Sequence, residues 1–511
     1  VADKPELFFA LVGAVGGDLS LVQERLEQEL RRVKYNPVPI RLSQAITECG
    51  LYPHLEELKN GSEDERINQS MDAGDDFRSK AANGAAVAIL GVMKVLQFRL
   101  DTTGSSDAGV DGTAYIFNSL KHPKEISMLR DVYRNHLFVI SAYAPVAQRD
   151  AALRMKIARS RDSHNYDDFQ TQSHDLIEKD EKEKDNNFGQ NVRDTFPLAD
   201  YFLDLSQKDD VAPQIVRFID LLFENPFVTP TRDEYGMFHA QATALRSADL
   251  SRQVGAVITT KTGEIITTGC NEVPEAGGGS IWAEDIGDEL PDSRDHAIGY
   301  DSSVKMKKEL VNEVFDQLPD SWFSSDFLAM SRDERVEAAL FQGPNPPLKG
   351  SRVSSILEFG RIVHAEMNAI CDAARRGLQI DKATLYTTVF PCHMCARHII
   401  SSGILRVVYI EPYPKSLAKE LYPNAVRVDQ DTTALDGAVA FEPFMGVAPR
   451  KFMGFFKAPE RKDKKGNTIE WHADKANPRV DIFPSYLDNE SLVIKSIEGL
   501  FPNQNTGSTG G

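Results

Sequence analysis

Residues 7–12 (LFFALV) form an unbroken apolar run of strand length, and the glycine-rich turn Gly13-Ala-Val-Gly-Gly17 follows it directly. Leu19, Val22, Leu26, Leu30 and Val33 then recur at helical spacing. A short apolar stretch at 38–42 predicts a second strand, 85–100 a helix, 115–118 a strand, 126–133 a helix and 137–141 another strand. Strands alternating with helices predict a mostly parallel sheet. Residues 161–185 break this rhythm. They hold four basic and nine acidic residues with few apolar ones, and predict solvated helices or a mobile lid.

A polar stretch at 204–213 reads as the start of a linker, and helical patterns follow at 214–223 and 231–248. Residues 253–260 and 264–268 predict a hairpin around Lys261-Thr-Gly263. The span 274–350 carries a helical pattern of its own at 305–318, so it reads as an insertion rather than a bare loop. Apolar runs at 383–388 and 406–410 predict strands flanking 391–403. The expected organisation is therefore a first domain at 1–205, a connecting segment at 206–230, a second domain at 231–500 with the insertion at about 274–350, and a disordered tail at 501–511.

Length and charge narrow what such a chain does. At 511 residues it is too long for one ordinary core. The balance of 58 basic against 76 acidic residues gives a net charge of −18, which argues against gripping duplex nucleic acid along a broad surface. A local basic pocket for a small phosphorylated molecule stays compatible with it. Five cysteines argue against a disulfide framework. No apolar run reaches the ~20 residues of a membrane span, and only Lys4 stands ahead of the first run, which lacks a basic leader. The expectation is a cytoplasmic chain without a membrane partner, in which a close cysteine pair binds metal.

Such a pair exists. His364-Ala-Glu366 is followed by Pro391-Cys392-His-Met-Cys395. Pro391 is suited to begin a helix, and Cys392 and Cys395, three residues apart, then share one face of it. The helix N-terminus favours thiolates. Two thiolates and the His364 imidazole make a three-ligand zinc site with one open position, the form a catalytic zinc takes. Glu366, two residues beyond His364, is placed to move protons rather than to ligate. Two other readings stay open at this level: a structural zinc with His393 or Cys371 as fourth ligand, and a redox pair.

The block from 247 to about 456 resembles the cytidine deaminase superfamily, and within it the deoxycytidylate deaminases. The resemblance rests on Ser247-Ala-Asp-Leu-Ser-Arg-Gln-Val-Gly-Ala-Val-Ile258, Thr268-Gly-Cys-Asn-Glu-Val-Pro274, His364-Ala-Glu-Met-Asn-Ala-Ile370 and Pro391-Cys-His-Met-Cys395. It implies Zn2+ as cofactor and Asn271 as a hydrogen-bonding partner of the deoxyribose. Arg252 is expected at the phosphate, and Val389 and Pro391 at the substrate. Cys270 stands where the family has an aromatic residue.

Nearly the whole chain resembles a narrower group, the bacterial anti-phage dCTP deaminases. Its further marks are Tyr115-Ile-Phe-Asn-Ser-Leu-Lys-His-Pro-Lys-Glu125 and Gly189-Gln-Asn-Val-Arg-Asp-Thr-Phe196. The fold this implies is α/β: an N-terminal P-loop-kinase-like parallel sheet plus a C-terminal cytidine-deaminase-like α/β/α sandwich. The activity it implies is deamination of dCTP to dUTP, with some turnover of dCMP, depleting dCTP against phage. Two alternatives are a housekeeping dCMP deaminase and a deaminase of cytosine or adenosine in single-stranded nucleic acid. A homo-oligomer, dimer or hexamer, and an allosteric nucleotide such as dTTP are implied as well.

The N-terminal loop departs from a phosphate-binding motif of the form G-x-x-x-x-G-K-[ST]. Gly13, Gly16, Gly17 and Ser20 are its candidate nucleotide-binding residues, but Asp18 and Leu19 stand where Gly and Lys belong. Losing the lysine removes a charge from the phosphates, and the aspartate repels them, so nucleotide sensing or a scaffold role is expected rather than phosphoryl transfer. Residues 450–465 hold seven basic and two acidic residues. They read either as a solvated surface or as a contact for a triphosphate or a regulatory RNA.

Overall fold

A computed structural model describes residues 4–58, 61–181, 183, 186–287, 291–343, 346–356, 358–428, 435–480 and 486–501. The chain forms two compact units, one of residues 1–234 and 445–511 and the other of residues 235–444.

The first unit opens with β1 (Leu7–Gly13), α1 (Leu19–Arg32), β2 (Asn36–Arg41), α2 (Ala86–Thr103) and β3 (Thr113–Leu120). It continues with α3 (Pro123–Tyr133), β4 (Leu137–Tyr143), α4 (Val146–Ser160), α5 (Gln170–Glu181), β5 (Tyr201–Asp204) and α6 (Val211–Leu222). The apolar run of β1 is wholly buried. It pairs in parallel with β3 on one side and β4 on the other, giving the order β2-β3-β1-β4-β5 with every pair parallel. The direction of winding reverses beside β1, the place in an open parallel sheet where ligands usually bind.

Two expectations for this region are corrected. Residues 206–230, expected as a linker or connecting helix, do hold a helix, but it does not stand between domains: Ile215, Phe218, Ile219 and Leu222 of α6 lie in the same core as Leu26, Leu30 and Phe138. Residues 161–181 are not a lid: Phe169 and Leu176 pack on Met71, Ile157 and Ala158, and Ser173 and Asp180 are buried. A few apolar residues at helical spacing outweigh the acidic composition there.

In the second unit, α7 (Arg232–Ala244), whose first turn holds the division between units, precedes the hairpin β6 (Gly255–Thr259) and β7 (Ile265–Cys270). The insertion contains α8 (Ser302–Gln317) and α9 (Arg332–Leu340), with a small core of Val311, Val336 and Leu340. Then follow α10 (Ala365–Arg376), β8 (Thr384–Val389), α11 (His393–Ser401), β9 (Arg406–Glu411), β10 (Val426–Val428) and β11 (Val439–Pro443). The sheet order is β10-β11-β9-β8-β6-β7. Its β6 pairs are antiparallel and the rest parallel.

Beyond residue 444 the chain rejoins the first unit, not the second as the expected 231–500 domain has it. The strand β12 (Gly446–Val447) adds antiparallel to β5. Arg450 of α12 (Pro449–Phe456) pairs with the buried Asp200 at 3.0 Å, and Lys451 stands over the Phe138 ring. Arg461 donates to the Pro226 carbonyl. Part of the basic cluster is therefore structural. In α13 (Leu487–Lys495), Glu490 meets the fully buried Arg99, which also pairs with Glu6 at 2.8 Å. No helix among the described residues is long and apolar enough to cross a membrane. The expected tail falls on residues 502–511, outside the described residues.

Candidate active site

The position of α10 is set by small residues. Ala365, Ala369 and Ala373 recur every four positions and are all buried, presenting a low face to the sheet. Gly269 of β7 completes the fit, because a Cβ there would collide with the Ala365 carbonyl and the Ala369 amide. His364 occupies the N-cap position without a side-chain capping bond, which leaves its ring for the site, and Glu366 lies in the first turn. The second arm comes from β8, which delivers Cys392 to the N-cap of α11, where its sulfur accepts from the Cys395 amide. Pro391 therefore precedes the cap rather than starting the helix.

These helix starts bring Cys392 Sγ to 3.3 Å and Cys395 Sγ to 3.4 Å from His364 Nδ1. The three ligand atoms lie within 4.8 Å of one another and form the only cluster of this kind among the described residues. Two sulfurs and one imidazole nitrogen are a zinc donor set, and three protein ligands leave a fourth position for catalysis. Neither His393 nor Cys371 joins the group, so the four-ligand structural reading lacks its fourth ligand. Glu366 stands beside the group with Oε2 3.4 Å from Cys395 Sγ.

Without metal, these groups share protons unevenly. The Cys392 thiol is drawn down to about 4 by its hydrogen bond with Cys395, and the His364 contact adds to this. His364 is raised to about 9, chiefly by its hydrogen bond with Cys392. Cys395 is pushed well up by its hydrogen bond with Cys392 and by burial. The site thus holds protons that a divalent cation would displace. Burial, and then the charge of Cys392, raise the Glu366 carboxyl, so it carries a proton more readily than a solvated glutamate does.

A cavity of about 300 Å³ opens onto His364, Glu366 and Cys392. Of the other expected substrate residues, Arg252, Asn271 and Val389 line it. Pro391 is buried but is not among the lining residues, and its carbonyl accepts from the Ser416 hydroxyl. Asn271 is already engaged. Its Nδ2 donates to Asp249 (3.0 Å) and to the Arg252 carbonyl (2.9 Å), and its Oδ1 accepts from the Val254 amide (2.7 Å). It therefore ties down the 249–254 loop. Arg252 is half exposed, 3.5 Å from Glu411, with its guanidinium over the Tyr413 ring.

The cavity also contains residues that motif spacing does not reveal: Tyr413, Arg361, and Asp301, Ser302 and Lys307 around the start of α8. Tyr413 follows the carboxyl end of β9, where ligands of parallel strands collect, and Arg361 lies three residues before His364. Those two positional signals were available. Asp295, ahead of α8 in the insertion, lines the cavity too.

The N-terminal loop has a different character. The Val15 amide donates to Asp180 Oδ2 (2.6 Å), and the Lys121 ammonium lies 2.8 Å from Oδ1 of the same carboxylate. Lys121 also donates to the Gly13 carbonyl. Asp180 is fully buried. Gly16 adopts φ +85°, and a Cβ there would strike the Arg149 carbonyl. The Gly17 amide closes a turn onto Ala14, Asp18 caps α1, and Ser20 is exposed within α1. A carboxylate of the chain itself meets the amide and ammonium that a phosphate would need.

Residues 230–411 match the cytidine and deoxycytidylate deaminase zinc-binding region. The deoxycytidylate deaminase of Enterobacteria phage T4 is 34% identical over 166 residues, covering 32% of this chain and 70% of that protein. ComE operon protein 2 of Bacillus subtilis (strain 168) is 43% identical over 72 residues, 14% of this chain and 38% of that protein. The structure of dCMP deaminase from the cyanophage S-TIM5 in complex with dCMP and dUMP matches at 17% identity and a TM-score of 0.22, over 42% of this chain and 98% of that one.

Proposed function

The chain belongs to the cytidine and deoxycytidylate deaminase family, and from that premise we propose that it deaminates free deoxycytidine nucleotides, dCTP to dUTP foremost and dCMP to dUMP beside it. The observation that carries this reading is the pairing of a three-ligand zinc group with a buried carboxylate that is not a ligand, both at one cavity. When bound, zinc supplies Lewis acidity that brings the pKa of a water toward ~7. The chain does the rest. Glu366 takes one proton from the attacking water and passes it to the pyrimidine ring nitrogen as the water oxygen bonds to C4. It then takes the second proton from that oxygen and passes it to the amine, so that the C4–N bond breaks, ammonia leaves and C4 becomes a carbonyl. Its raised proton affinity suits a group that both accepts and donates. Val389 walls the base, and Asn271 holds the 249–254 loop that carries Arg252 toward the sugar and phosphate.

Removal of dCTP from the nucleotide pool would starve viral DNA synthesis, and a defence role against phage follows from that chemistry. The second reading, a housekeeping dCMP deaminase, draws on the deoxycytidylate deaminases among the relatives. The net charge of −18 supports a free nucleotide over a strand of nucleic acid under either reading. The test of mechanism is Glu366→Ala. It is expected to keep its zinc and to lose ammonia release from dCTP by on the order of 10²–10⁴-fold. Activity near that of the wild type would remove Glu366 from the mechanism.

A further inference from the structure

We propose that the insertion and the segment leading from it to His364 supply the phosphate end of the active site, with Arg361 of that segment as anchor, Asp295 of the insertion as its positioning residue and Lys307 reaching the outer phosphates of a triphosphate. The proposal rests on the deoxycytidine-nucleotide reading and names the part of the substrate that the insertion selects. Three cations line the cavity, Arg252, Lys307 and Arg361, along with three carboxylates besides Glu366. The carboxylates are engaged within the chain. Asp249 accepts from Asn271 and from Ser251. Asp301 caps α8 by accepting from the Val304 amide. Asp295, 4% exposed, holds Arg361 Nη1 at 3.1 Å with one oxygen and the Ser302 hydroxyl at 2.9 Å with the other.

The cations are less engaged. Lys307 has no ion pair or hydrogen bond among the described residues. Arg361 uses one N–H on Asp295 and one on the Ser293 carbonyl. A guanidinium has five N–H donors, so three remain. Asp295 thus fixes Arg361 against the first residue of α8 while leaving most of its donors free. The N-terminal turn of this 16-residue helix lines the same cavity, with its Ser302 and Val304 amides donating to Asp295 and Asp301, so the free donors on this wall are those of Arg361 and Lys307. Arg361 lies three residues from His364, so their Cα atoms are at most about 11 Å apart. A nucleotide whose base reaches the zinc group therefore has its phosphates within reach of this wall. The unengaged donors of Arg361 and Lys307 suit phosphate oxygens better than an uncharged nucleoside.

The experiment uses the full-length zinc-loaded protein and its Arg361→Gln, Arg361→Lys and Lys307→Gln variants. Turnover of deoxycytidine, dCMP and dCTP is measured, and binding of the same three to the Glu366→Ala background is followed by calorimetry. Arg361→Gln is expected to lower kcat/KM for dCTP and dCMP by roughly 10–100-fold and to leave deoxycytidine unchanged, while Arg361→Lys recovers part of the loss. Lys307→Gln is expected to weaken dCTP about tenfold and to spare dCMP. Equal losses on all three compounds, or unchanged dCTP binding in Arg361→Gln, would overturn the assignment while leaving the deaminase reading intact. If the wild type deaminates none of the three, that reading fails. Binding of dCTP that Arg361→Gln abolishes would still uphold the phosphate wall.

Discussion

At the carboxyl end of β1, the Val15 amide and the Lys121 ammonium both close on Asp180, a carboxylate from α5 of the same unit. At the starts of α10 and α11 in the other unit, two sulfurs, an imidazole and a carboxyl close on one another at the head of a 300 Å³ cavity. Both places include a strand leading into a helix, β1 into α1 and β8 into α11, and a helix N-terminus favours negative charge. They differ in where the countercharge comes from. The first is neutralised by its own chain and buried. The second gathers a donor set that fits a divalent cation, and cationic side chains with donors left over. A glycine-rich loop after a strand is therefore not by itself a ligand site: what matters is whether the fold leaves its polar groups without partners.

The largest effect that would break this comparison is loss of metal. Protein stripped of zinc by a chelator is expected to lose all deaminase activity and to regain it with zinc. Uptake should also depend on pH with a definite sign. His364 is raised to about 9 in the metal-free chain, so at neutral pH it holds a proton that zinc must displace. Apparent zinc affinity should therefore fall as pH falls, by about tenfold per unit for each proton displaced. Titration at pH 8, 7 and 6 with release of protons into a weak buffer measures this. Affinity that is flat over that range would contradict the ligand assignment.

A smaller effect sharpens the other side. Asp180→Ala leaves the Val15 amide and Lys121 without their partner, at a cost of roughly 1–3 kcal/mol. Inorganic phosphate should then raise the Tm of the variant but not of the wild type, because only the variant has an anion position to fill. A wild-type Tm that climbs with phosphate or ATP, together with a variant that does not respond, would mean that the loop is an open nucleotide site after all.

The sheet of the first unit was legible because β1, β3 and β4 are apolar runs of strand length between helical patterns. The zinc group was legible because cysteine is scarce and its ligands fall in two short motifs. What escaped depends on pairs far apart in sequence. Arg99 and Glu490 are 391 positions apart, so nothing local marks the return of the C-terminal segment to the first unit. Asp180 was one acidic residue among many until the fold set it against Val15, 165 positions away. Asn271 was identified by its motif, but its three hydrogen bonds into the 249–254 loop depend on the hairpin being folded. Lys307 and Arg361 carry no motif, and they matter because the insertion folds back to the cavity, bringing Lys307 there and setting Asp295 against Arg361.

The most direct measurement is a substrate panel of deoxycytidine, dCMP, dCTP, CTP and a single-stranded DNA oligomer, with products read by mass spectrometry on the zinc-loaded chain. The account predicts dUTP from dCTP as the fastest conversion, dUMP from dCMP behind it, and little uracil in the oligomer. Efficient conversion of cytosine within the oligomer, with free nucleotides left untouched, would contradict it.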